Sequence, residues 1–308
     1  MDVLSDAIAT MRTGTPSLSR ARVGRGGWRF EPYEGTGFHI VLDGRCWLLP
    51  ESGEPLALGA GDVVLVPRGR AHALAFGDAE PPSPGQVLSF DVWSGAPEGR
   101  APAPSDTTTS VLCGKYLSDG SRAHPLLREL PDVLRVTAGM GRHDGLRAAV
   151  DLLARELATP RTGGQSLVTG LLDAVFVYLL RAWLDERPAS APGTGWRRAL
   201  TDPVCTAVLD ALHGDPAFPW TLEGLSRLAG VSRATLSRRF AALAGQSPMA
   251  YLAWWRMVIA ARLLSTSDAP LSEVAARVGY GSPFAFSHAF TREFGRPPTR
   301  FRRASGRP

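Results

Sequence analysis

Lysine is almost missing from this 308-residue chain: Lys115 is the only one, so the remainder of its 34 basic residues are arginines. Such a preference follows genome composition as readily as nucleic-acid binding, so the net charge of +5 says little about partners by itself. Cysteine is scarce as well. Cys46, Cys113 and Cys205 are too few and too scattered for a disulfide framework or a closed structural zinc site, and reduced thiols in the cytoplasm are expected. Residues 1–12 have no basic start before an apolar run, and Asp2 and Asp6 interrupt them, so a secretory signal is not expected. Long hydrophobic runs are absent too. The most apolar stretch, 167–184, is broken by Thr169, Asp173 and Arg181, and no membrane partner is expected.

What is present is an ordinary apolar fraction of 44%, which excludes wholesale disorder, on a length that suggests two domains. The charge is unevenly spread. Residues 196–308 carry 15 basic and 7 acidic side chains, a net +8, whereas 1–195 carry 19 and 22, a net −3. A basic C-terminal third behind an acidic front points to a polyanion partner for that third alone.

Between residues 28 and 91, short apolar runs alternate with turn formers. Phe38-His39-Ile40-Val41-Leu42 meets the turn dipeptide Asp43-Gly44, and Cys46-Trp47-Leu48-Leu49 follows. The runs at 55–58, 63–66, 72–76 and 87–90 continue at the roughly 8–12-residue spacing of a barrel or sandwich, and 108–116 is a further candidate strand. The segments 77–85 and 94–105 read as surface loops. The texture changes at His124. Residues 143–158 and 165–186 read as two amphipathic or apolar helices that need a partner surface, and 188–195 is a linker by composition.

The C-terminal third contains an internal repeat. Leu222-Glu223-Gly224-Leu225-Ser226-Arg227-Leu228-Ala229-Gly230 matches Leu271-Ser272-Glu273-Val274-Ala275-Ala276-Arg277-Val278-Gly279 at an offset of 49, which becomes 50 after the glycine. Phe240 then matches Phe290, Gly245 matches Gly295, Pro248 matches Pro298 and Tyr251 matches Phe301. Each unit has the logic of a helix-turn-helix: a short helix stops at a glycine, and Ser232 or Ser282 caps the next helix. Leu225, Leu228, Leu236, Phe240 and Leu243 are expected inside the first unit, and Val274, Val278, Phe286, Phe290 and Phe294 inside the second. Arg233, Ser237, Arg238 and Arg239 are left outside. A helix at 248–264, apolar on both sides through Tyr251, Trp254, Trp255, Val258, Ile259 and Leu263, is expected to hold the units rigidly, so that both second helices enter successive major grooves.

These runs resemble the AraC/XylS-type transcription regulators. The resemblance is carried by Gly230-Val231-Ser232-x-x-x-Leu236-x-Arg238-x-Phe240, Gly245-Gln246-Ser247-Pro248-Met249-Ala250-Tyr251, Ala275-x-x-Val278-Gly279-Tyr280-x-Ser282-x-x-x-Phe286-x-x-x-Phe290 and Phe294-Gly295-x-Pro297-Pro298-x-x-Phe301-Arg302. It implies base-facing positions at Ala234, Ser237 and Arg238 in the first unit and near Pro283, Phe284, Ser287 and His288 in the second. Arg238 suits guanine, and Ala234 a thymine methyl. Arg233, Arg239, Ser282 and Arg292 complete the candidate DNA-binding set, although a solvated helix face would look the same for Arg233 and Arg239.

In the front half, Gly61-x5-Pro67-x-Gly69-x2-His72 resembles the second signature motif of the cupin barrels. The likeness extends to regulators that join such a barrel to the repeat, through Gly37-Phe38-His39, Leu112-Cys113-Gly114-x-Tyr116 and His124-Pro125-Leu126-Leu127. Cupin enzymes hold a metal with two close histidines, a glutamate and a later histidine; here only His39 stands in the first motif. His39, His72 and Cys113 can still meet inside a barrel, where they would suit an effector or a divalent metal such as zinc, unless all three are simply buried. Oxidation of Cys46 or Cys113 is a separate sensing route that needs a lowered thiol pKa and exposure.

The implied fold class is α+β: a cupin-like barrel with dimerisation helices over 1–187, a linker at 188–195, and an all-α double helix-turn-helix domain over 196–308. The implied function is a cytoplasmic, non-enzymatic DNA-binding regulator, a homodimer acting with double-stranded DNA, a small-molecule or redox signal and RNA polymerase. A metal-dependent cupin enzyme fused to a DNA-binding tail, or a thiol-based redox regulator, is the alternative.

Overall fold

A computed structural model describes residues 3–11, 17–24, 26–77, 109–117, 124–137, 143–159, 161–185 and 195–304. The expected strand at 87–90, and the linker apart from Gly195, lie outside these. Composition places one cut in the chain, in that linker; compactness divides it at four places. One unit is Gly14–Ser118 with Leu130–Arg187, and the other is Met1–Thr13, Asp119–Glu129 and Pro188–Pro308.

The first unit holds two antiparallel sheets. One, ordered β1-β8-β3-β6-β9, comprises Ser17–Val23, Thr109–Leu117, Gly35–Asp43, Val63–Val66 and Leu134–Val136. The other, ordered β2-β7-β4-β5, comprises Gly26–Phe30, His72–Phe76, Arg45–Pro50 and Leu56–Gly59. Their apolar inner residues, among them Phe30, Val41, Leu48, Val64, Leu74 and Val111, form one core. The helices α3 (Asp144–Ala158) and α4 (Gly164–Asp185) pack on each other. Phe176 of α4 meets Phe38 of β3 edge-on at 5.1 Å and Tyr116 of β8 at 6.0 Å. The larger sheet is therefore covered on both faces. That is why Phe38 to Val41 are buried without a break, His39 included, although alternate residues point to opposite sides. By length and composition α4 could cross a membrane; here Leu172, Val175, Phe176, Leu179 and Leu180 are buried in the unit.

The second unit is helical. It takes α1 (Val3–Met11), α2 (Pro125–Arg128) and α5 (Trp196–Ala199) together with α6 (Pro203–Gly214) and the repeat. The repeat is α7 (Leu222–Leu228) and α8 (Arg233–Ala244), then the spacer α9 (Pro248–Thr266), then α10 (Leu271–Arg277), α11 (Pro283–Phe294) and α12 (Pro298–Ala304). Of the expected inward residues, Leu225, Leu236, Phe240, Val274, Val278, Phe286 and Phe290 are fully buried, and Leu243 and Phe294 are half-buried. Leu228 is a correction. It is 46% exposed, because it is the last residue of a seven-residue helix and the chain turns away there.

A buried polar relay ties α1 and the start of α2 into this unit. The Leu126 N–H donates to His124 Nδ1 (3.1 Å), which leaves the His124 Nε2–H to donate to the Tyr251 hydroxyl (2.9 Å). That hydroxyl donates to His213 Nε2 (2.7 Å), and His213 Nδ1 donates to Asp6 Oδ2 (2.6 Å). Glu129 accepts the Trp196 N–H with both carboxylate oxygens (2.8 and 2.9 Å). Nothing in the linear sequence marks Asp6 or His124 as partners of the C-terminal helices.

Candidate nucleic-acid interface

The two turns of the repeat are built alike. Val231 N–H bonds the Ser226 carbonyl (3.1 Å) and Gly230 N–H that of Arg227 (3.2 Å); in the second copy Tyr280 bonds Ala275 (2.9 Å) and Gly279 bonds Ala276 (3.0 Å). This helix stop needs a left-handed residue, and Gly230 and Gly279 supply it at φ +66° and +76°. Ser232 Oγ then accepts the Thr235 N–H (3.1 Å), and Ser282 Oγ accepts the Phe284 N–H (3.2 Å), so both serines cap as expected.

The caps fix which faces look outward. On α8, Arg233, Ala234 and Arg238 are exposed and Ser237 is half-buried; on α11, Pro283, Phe284, His288 and Arg292 are exposed and Ser287 is half-buried. Residues three and four apart share a helix face, so 234, 237 and 238 form one patch, and 284, 287 and 288 another. Arg239 is spoken for. Its guanidinium pairs with Asp202 (Nε 2.7 Å, Nη2 2.5 Å), the carboxylate that also caps α6. Burial raises the Asp202 carboxyl, but the Cys205 N–H and Arg239 outweigh it and hold the group below its ordinary range.

The spacer joins the units through packing. Met257, Ala260, Ala261 and Leu264 enter the core formed by Val274, Val278, Phe286, Phe290 and Phe301. On the other side Tyr251 meets Phe240 at 5.9 Å. Arg256 of α9 donates to the carbonyls of Pro216 (2.8 Å) and Phe218 (2.9 Å) and lies 6.0 Å from the Tyr280 ring.

Inside the barrel, His39 of β3, Cys113 of β8 and His72 of β7 do come together, linking the two sheets. His72 Nδ1 donates to the Arg70 carbonyl (2.7 Å), so its Nε2 accepts from His39 Nε2 (2.7 Å), and His39 Nδ1 accepts from the Cys113 thiol (3.1 Å). Burial, then the neighbouring imidazole of His72, lowers the proton affinity of His39 far below normal; burial lowers His72 despite the Arg70 bond. Burial and the nearby Cys46 sulfur push the Cys113 thiol up.

This donor set does not fit a metal ion. His39 spends one nitrogen on each neighbour, so the three groups form a line instead of converging on a point, and among the described residues no three His, Cys, Asp or Glu side chains are arranged to hold a metal. Nor are the thiols set up to react. Cys46 and Cys113 are buried, and burial with the Asp62 charge pushes Cys46 up to about 12.

A small two-sheet barrel with a duplicated, serine-capped helical reader defines a DNA-binding regulator with an attached β-domain. Comparison with known proteins agrees. A family profile described as cupin matches residues 2–185, and one described as helix-turn-helix domain matches 225–304. A protein carrying the provisional name AraC-like transcription regulator in Streptomyces lividans is 34% identical over 98% of both chains. The HTH-type transcriptional regulator AlkR of Acinetobacter baylyi is 30% identical over 87% of each. A solved DNA-binding domain of AdpA in complex with a target DNA is 39% identical over 33% of this chain and 92% of its own, with a TM-score of 0.32. The chain belongs to the AraC-type transcription regulators, with an N-terminal cupin domain.

Proposed function

We propose that the chain is a cytoplasmic, homodimeric, non-enzymatic regulator that reads DNA through the outward faces of α8 and α11 and acts with RNA polymerase. The observation that carries this reading is the pair of equivalent turns and serine caps, which leaves Arg233, Ala234, Ser237 and Arg238 on one helix and Pro283, Phe284, Ser287 and His288 on the other without a structural duty in the core. Arg238 is the guanine reader and Arg233 a phosphate contact; Arg292, at the far end of α11, is a second. Arg239 belongs first to Asp202.

Dimerisation falls to α3 and α4. Leu152 on α3 and Leu167 and Tyr178 on α4 are exposed large apolar residues that a second copy of the chain would cover. The barrel senses a small-molecule effector, and the Cys113–His39–His72 line is the polar group inside it that an effector would disturb. The test is enrichment of duplexes from a random pool by the full chain, followed by a salt titration. Affinity should fall steeply, with a log–log slope of about −0.9 per neutralised phosphate. Arg233→Ala should make that slope shallower by about one unit, and Arg238→Ala should relax the choice of one guanine, a discrimination of about 1–3 kcal/mol. A salt-independent affinity contradicts the reading.

A further inference from the structure

The two reading helices present different chemistry at equivalent positions. At the offset of 50, Arg233, Ala234, Ser237 and Arg238 correspond to Pro283, Phe284, Ser287 and His288. Where the first unit offers a methyl group, the second offers a phenyl ring. Phe284 is 83% exposed, the highest value for a large hydrophobic residue among those described. Its aromatic neighbours on the same helix do core work: Phe286 and Phe290 are fully buried, and Phe294 packs on Phe290 and Phe301. Phe284 takes no part in that cluster. Its backbone N–H is the one Ser282 caps, so the ring is held at the N-terminal turn, the part of a reading helix that reaches base edges.

The outward patch of α11 therefore lacks the group that reads guanine. Pro283 and His288 replace Arg233 and Arg238, and the nearest guanidinium on the helix is Arg292, one turn beyond His288 and two beyond Phe284, away from the N-terminal turn. What remains is a large apolar surface, and the one apolar feature of a major groove is the C5-methyl of thymine. We propose that Phe284 is the specificity-determining residue of the second unit and packs on thymine methyl groups, so that the two units read unlike half-sites, one through a guanine and one through thymine. The proposal rests on the reading of α11 as a major-groove helix.

The test uses the full chain and a duplex enriched from a random pool, resynthesised with deoxyuridine in place of thymidine at one position at a time, which removes only the methyl. Wild-type binding is expected to weaken about fourfold at each contacted position. Phe284→Ala is expected to keep the wild-type melting temperature, since the ring is exposed, to bind the thymine duplex more weakly, and to be indifferent to deoxyuridine at those same positions. A wild-type protein indifferent to every replacement overturns the proposal. So does a Phe284→Ala variant that retains the full deoxyuridine penalty. Failure to enrich any duplex instead overturns the DNA reading beneath it.

Discussion

Gly230 and Gly279 occupy the same step of the two turns but not the same surroundings. A Cβ at Gly230 would meet nothing within 4 Å, whereas one at Gly279 would lie 2.6 Å from the Ala217 carbonyl oxygen and 2.8 Å from the Arg256 guanidinium. Gly230→Ala should therefore cost only the left-handed penalty of about 1–2 kcal/mol. Gly279→Ala should cost clearly more, because a backbone oxygen cannot step aside; urea midpoints of the two variants side by side check the order. The sequence marks both glycines as turn formers through the repeat, but not this difference, which depends on the 215–220 segment packing beside the second turn. The barrel shows the same division. The motifs place His39, His72 and Cys113 inside one domain, and the structure brings them together. Which ring nitrogen faces which neighbour is set by the Arg70 carbonyl, and no residue pattern records that.

Among the elements, α9 explains a small irregularity of the repeat. Tyr251 in the first copy answers to Phe301 in the second. Phe301 packs in a hydrophobic cluster, with the Arg296 guanidinium 4.6 Å from its ring, whereas the Tyr251 hydroxyl stands between His124 and His213. Tyr251→Phe would leave a buried donor and a buried acceptor unsatisfied, so it should destabilise the protein by about 2 kcal/mol or more, far beyond an ordinary loss of one hydroxyl. Thermal unfolding of the variant measures this, and a melting temperature equal to wild type would rule out the relay. Strands, helices and caps were readable from period and turn chemistry because those signals are local. The docking of α1 and α2 on the helical unit was not, because it is made by Asp6 and His124 through contacts more than a hundred residues long in sequence.

For the molecule as a whole, burial sets a pH window. His39, His72 and His124 all bind protons less readily folded than unfolded, each chiefly through burial. Above about pH 6.5 the rings are neutral in both states and nothing is lost. As the pH falls below that, the unfolded chain takes up protons that the folded chain refuses, so stability should drop by at most about 1.4 kcal/mol per pH unit for each ring that is still neutral in the folded state. Asp62 and Glu129, whose carboxyls burial raises, act in the opposite sense, but only nearer the carboxylate range. Denaturant midpoints at pH 7.5, 6 and 5 should decline in that order. Length also bears on how the protein can be divided. A fragment spanning 188–308 lacks Asp6, His124 and Glu129, so it should melt well below the intact helical unit and gain stability when peptides covering 1–13 and 119–129 are added; a fragment with full stability contradicts the assigned unit.

The fourfold crossing of the chain between its two compact units has a practical meaning for anyone recombining such regulators. A hybrid spliced at the 188–195 linker would inherit a reader from one parent and that reader's joinery, α1 and the α2 segment, from the other. Grafting that preserves the fit has to move three pieces together, and relatives that have traded only their tails should carry matched changes at positions 6, 124 and 129.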